Sequence, residues 1–166
     1  MTKAYLIHGT STRDDDWFPW LEEAVAPAIK LDRIWLPEPF NPSPIEWAQA
    51  IDQQVPAEDG VVLVAHSLGC ISALRFIERH RINDARLLLV GAFDQPLPTY
   101  PQLDRFVTPP LQYDQVTPKV SQATVIAAQD DYNSNNYRNN NFSFLLHCLS
   151  PTSRHHRSCQ SLDCRW

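Results

Sequence analysis

A chain of 166 residues, 43% apolar and 20% charged, is sized for one domain with a sizeable core. It holds no apolar run near the ~18–20 residues that cross a bilayer, so no membrane partner is expected. A formal charge of −5, with no basic stripe to meet phosphates, argues against nucleic acid as a partner.

The start, "MTKAYLIHGT", turns polar too soon for a secretory leader, and the expected location is the cytoplasm. "AYLIH" (4–8) reads as a short strand ending in His8-Gly9. Residues 14–29 open with acidic residues and carry Trp17, Leu21 and Val25 on one helical face. "DRIWLP" (32–37) reads as a second strand, stopped by proline. Residues 43–55 have Ser43 as a cap and Pro44 in the first turn of a helix. "GVVLVAH" (60–66) is the strongest strand pattern, and 68–81 follows at once as a helix with Ile71, Leu74 and Ile77 on one side. Residues 85–93 and 123–129 read as further strands. Trp17, Trp20 and Trp47 sit at helical spacings that suit core packing. The stretch 94–119, rich in proline and aromatics, is a long excursion of the kind that forms a lid or rim.

Continuous apolar strands alternating with helices predict an α/β fold: one domain, three layers, a mainly parallel central sheet with helices on both faces. That design runs over residues 1–131. Residues 132–166 contain no Gly, Ala, Val, Ile, Lys or Glu, and six asparagines fall within 133–141. Four arginines against one aspartate give this tail a formal +3; ten basic against 18 acidic residues give the rest −8. Three of the four cysteines also lie in the tail. Two accounts fit: a polar, poorly ordered appendage, or a shifted reading frame that leaves the fold incomplete at its C-terminus. Cys148, His155, His156, Cys159 and Cys164 lack a paired C-x2-C knuckle, so no metal and no cofactor is expected.

Chemistry concentrates at "VVLVAHSLGC" (61–70). A serine at a strand-to-helix join, with small residues two before and two after it, is the pattern of a nucleophile elbow. Here Ala65 and Gly69 flank Ser67. The N–H groups at the start of the following helix, Leu68 first, suit an oxyanion. The plain alternative is that Ser67 only caps that helix. His8-Gly9-Thr10, at the end of the first strand, could supply a second oxyanion donor through the Thr10 N–H, or be a simple turn. Asp130-Asp131, just past the last strand, could supply a triad acid, or be an exposed turn. His66 is read as a packing residue and His80 as a partner for a helix end. Cys70, three residues after Ser67, is placed on the packing side of its helix.

"YLIHG", "WFPWLEE", "LPEPFNPSPIEWAQAI", "VLVAHSLGC", "LLLVGAF" and "VIAAQDD" together resemble the YdeN-type bacterial serine hydrolases, with the retinoblastoma-binding serine hydrolases, of the α/β-hydrolase superfamily. The resemblance runs from residue 3 to about residue 131. It implies a compact α/β-hydrolase fold, Ser67 as nucleophile and Asp131 as triad acid. The family goes on to a Val-Pro turn and a Gly-His-Phe segment that carries the general base. This chain has no glycine after Gly91, so the family histidine has no clear counterpart. His156, 25 residues after Asp131, is the substitute at the family's interval, ahead of His155 and the nearer His147. The expected function is a serine hydrolase that cleaves a small-molecule carboxylic ester, or an amide, through an acyl-serine, impaired by loss of the family histidine. The alternative is a non-catalytic binding protein, or a truncated, inactive product of the same fold.

Overall fold

The computed structural model describes residues 1–126. The chain runs β1 (Thr2–Ile7), α1 (Phe18–Val25), β2 (Ile29–Arg33), α2 (Pro44–Gln54), β3 (Val62–His66), α3 (Leu68–Arg79), β4 (Ala85–Val90), α4 (Asp104–Val107), α5 (Tyr113–Val116) and β5 (Val120–Ile126). The five strands form one sheet in the order β2-β1-β3-β4-β5. Every neighbouring pair is parallel. The order turns back between β1 and β3, and open parallel sheets place their ligand crevice at such a switch point, above the carboxyl ends of the strands.

Strand side chains alternate between the two faces, and the core divides accordingly. Ala4, Leu6, Leu31 and Val64 meet Phe18, with Trp17, Leu21 and Val25 of the α1 region packed around them. On the opposite face Tyr5, Ile7, Leu63, Ala65, Leu87 and Leu89 lie under α2 and α3. Helix α3 is buried almost all round, from Leu68 to Leu74 and again at Phe76 and Ile77. That accounts for its apolar richness beyond one stripe. The expected three-layer α/β arrangement is thus present.

Element boundaries differ from the sequence reading where local chemistry intervenes. Helix α1 begins at Phe18, not in the acidic run. Asp15 folds its carboxylate back onto the Thr12 N–H (2.8 Å), and Asp16 takes a left-handed φ of 55° that no helix tolerates. Strand β2 ends at Arg33, where β1 has one acceptor left to offer, the Leu6 carbonyl, which takes the Ile34 N–H (3.1 Å). The next residues stay extended because the Gln54 amide brackets Trp35: its Oε1 accepts the Trp35 N–H (2.9 Å) and its Nε2 donates to the Trp35 carbonyl (2.7 Å). Buried Ile34 and Leu36 around exposed Trp35 mimic a strand in sequence. Trp20 is a further correction. It is 67% exposed, while Trp47 is fully buried and donates its Nε1–H to the Pro37 carbonyl (2.8 Å).

The excursion after β4 is not a loose lid. Leu97, Leu103, Phe106, Val107, Leu111 and Val116 all enter the main core. Phe106 meets Trp47 edge to face at 5.4 Å. At its far end the Lys119 ammonium donates to the carbonyls of Ile77, Glu78 and His80 (2.9, 3.0 and 2.9 Å), closing the C-terminus of α3.

Candidate active site

Ser67 stands between β3 and α3 with φ 52° and ψ −121°, a conformation that an L-residue adopts only under constraint. Its backbone is fixed from two sides: its N–H donates to the Val90 carbonyl of β4 (2.8 Å), and its carbonyl accepts from the Cys70 N–H (3.0 Å). The hydroxyl makes no capping hydrogen bond to α3. The reading of Ser67 as a simple helix cap therefore fails. As the first residue of α3, Leu68 has no carbonyl one turn earlier in the helix to take its N–H.

Gly69, two residues after Ser67, and Gly9, just past the end of β1, are both required by close approach. A Cβ on Gly69 would lie 2.2 Å from the Ile7 carbonyl oxygen and 2.6 Å from that of His8. A Cβ on Gly9 would lie 2.9 Å from the Ser67 Cβ and 3.4 Å from the Leu68 nitrogen. The end of β1 is therefore pressed against the serine turn, and Gly9 borders the Ser67 Cβ. The His8 ring is buried, bonded through Nδ1 to the Gly9 carbonyl (2.9 Å) and set edge-on to Trp47 (5.9 Å). In a trans peptide the C=O and N–H point oppositely. Tying the Gly9 carbonyl to His8 thus leaves the Thr10 N–H on the other side of that peptide.

His66 turns away from the serine turn toward α1, its ring edge-on to Trp17 (5.8 Å) and Phe18 (5.6 Å), with Asp16 Oδ2 3.9 Å from Nδ1. His80 bonds the Phe76 carbonyl at the end of α3 (2.8 Å). Cys70 is fully buried beside the Val90 carbonyl, and burial pushes its thiol pKa well up, so it is no nucleophile. Asp94, just beyond β4, was missed by the sequence reading. It accepts the Tyr113 hydroxyl at 2.7 Å, and burial raises its carboxyl above the usual range. No motif marks it, because its partner comes from 19 residues later. Asp130, Asp131, His147, His155 and His156 lie outside the described residues. Among the described residues no group of histidine, cysteine and carboxylate could hold a metal ion.

Burial holds the imidazoles of both His8 and His66 below the ordinary histidine value; the Gly9 carbonyl and the Asp16 carboxylate offset this in part. The folded protein then binds these protons less readily than the unfolded chain. Stability from the neutral rings is complete above about 6.5, the ordinary value, and is lost as pH falls from there toward the lower folded values. The thermal midpoint is expected to drop from neutral pH to about pH 5, with a shallower slope in the His66→Gln variant. An unchanged slope would assign the acid sensitivity elsewhere.

The sequence profile of the family described as serine hydrolase matches residues 4–146. The chain belongs to the serine hydrolase family. The hydrolase is 33% identical over 137 residues to the putative hydrolase YdeN of Bacillus subtilis (strain 168), covering 79% of this chain and 72% of that one. It is 24% identical over 101 residues to the serine hydrolase RBBP9 of Rattus norvegicus, covering 58% and 53%. The crystal structure of the ydeN gene product from B. subtilis matches with a TM-score of 0.72 and 30% identity, over 80% of this chain and 74% of that chain. The hydrolase thus has the α/β-hydrolase-like architecture that the resemblance implied.

Proposed function

We propose that this serine hydrolase cleaves carboxylic esters, with amides as a second substrate class, through an acyl-Ser67 intermediate. The observation that carries the reading is the Ser67 turn itself. A constrained, uncapped hydroxyl stands at the N-terminus of α3, at the switch point of the sheet and against the Gly9 backbone. In this reading the Ser67 Oγ attacks the ester carbonyl carbon as a base takes its proton. The N–H groups of Leu68 and Thr10 hold the resulting oxyanion. Collapse expels the alcohol, which leaves with that proton. Water then attacks the acyl-serine, giving the carboxylic acid and the free hydroxyl. His156 is proposed as the base and Asp131 as the acid that orients it. No cofactor takes part. The substrate is a small-molecule ester met in the cytoplasm, with neither nucleic acid nor membrane as partner. A net charge of −5 supports that choice, and no helix among the described residues is long and apolar enough to cross a membrane.

A fluorophosphonate probe is expected to label the protein at Ser67, located by peptide mapping, and to leave the Ser67→Ala variant unlabelled. Absence of label on folded wild-type protein would favour the second reading, a non-catalytic protein of the same fold. The lack of any glycine after Gly91, where the family carries its Gly-His-Phe segment, speaks for that reading.

A further inference from the structure

A groove of about 240 Å³ opens between α2 and α3, and Ser67 does not line it. Its floor is apolar: Pro44, Ala48 and Ile51 recur at helical spacing on α2, and Phe106 closes one side. Three arginines complete the lining, Arg75 and Arg79 from α3 and Arg105 from α4.

Their charges are not equally answered. Arg75 Nη1 pairs with Glu78 Oε2 (2.9 Å), and Arg79 Nη2 with Asp52 Oδ1 (2.9 Å). Arg105 donates from Nη2 to the Pro42 carbonyl (2.7 Å), a neutral partner, and no carboxylate pairs with it among the described residues. One guanidinium charge is left over at the edge of an apolar trough. Most of its five N–H donors remain to be used, in a fork that fits a carboxylate.

We propose that this groove binds a small organic monoanion, a carboxylate on a short apolar chain, with the head on Arg105 and the chain along Ala48, Ile51 and Phe106. The volume is below the usual range for drug-sized ligands, which suits a ligand of that size. An ion with no apolar body would leave the floor unused; an uncharged chain would leave Arg105 unanswered. The site is separate from the Ser67 turn and does not depend on hydrolysis.

The test is titration calorimetry with hexanoate, hexanol and inorganic phosphate. Hexanoate is expected to bind wild-type and Ser67→Ala protein equally. It should bind about tenfold more weakly to Arg105→Gln, which loses a charge-assisted hydrogen bond. Ala48→Phe, which fills the trough from α2 without changing charge, should weaken it similarly and decides the matter if Arg105→Gln does not fold. Hexanol and phosphate should each bind at least about tenfold more weakly than hexanoate. The proposal is overturned if hexanoate does not bind, if binding is lost in Ser67→Ala alone, if Arg105→Gln and Ala48→Phe bind like wild type, or if hexanol or phosphate matches hexanoate.

Discussion

Ser67→Ala is expected to lower ester turnover by about 10⁴–10⁶-fold, measured with an activated aryl ester, while barely moving the thermal midpoint. The hydroxyl makes no capping bond to lose, so its removal should not unsettle α3. Ser67→Gly separates the two roles of the position. It should be equally inactive, yet more stable than Ser67→Ala by about 1 kcal/mol, because glycine accepts a φ of 52° without strain. Stability measured by urea denaturation would show this directly. A glycine variant no more stable than the alanine one would mean that the turn stores no strain. Turnover preserved in Ser67→Ala would remove the serine from the chemistry.

Gly69→Ala is expected to be the most damaging alanine substitution among the glycines, at roughly 3 kcal/mol or more. The added carbon would meet the carbonyl oxygens of Ile7 and His8, which are backbone atoms and cannot rotate aside. Relief requires that α3 lift from β1, which would carry Leu68 away from the His8-Gly9-Thr10 segment. Loss of fluorophosphonate labelling should therefore accompany the fall in the urea midpoint. A folded Gly69→Ala protein with wild-type labelling would show that the elbow yields more easily than its geometry implies. Gly91→Ala is a useful contrast, since a Cβ there meets no atom of the described residues within 4 Å and its strain lies in its φ of 59°.

The sheet and the serine turn were legible in the sequence because both depend on contiguous residues. Val62–His66 is an apolar run, and Ala65, Ser67 and Gly69 mark its abrupt end. Helices α2 and α3 were legible from Pro44 and from the spacing of Ile71, Leu74 and Ile77. Features set by distant partners were not. The end of β2 depends on where β1 stops and on the side chain of Gln54. The exposure of Trp20 depends on how α1 lies on the sheet, because a tryptophan at helical spacing looks the same on either side. Asp94 depends on Tyr113, and the Arg105 groove on two helices and a later turn. The roles read for Asp131 and His156 rest on the resemblance and on spacing, beyond the described residues.

The Lys119 ammonium gives three hydrogens to three carbonyls, so its donor capacity is fully committed. A flat guanidinium has the charge but not the compact tripod, and an acetylated amine has neither. The junction between α3 and the last described strand is therefore written for lysine in particular.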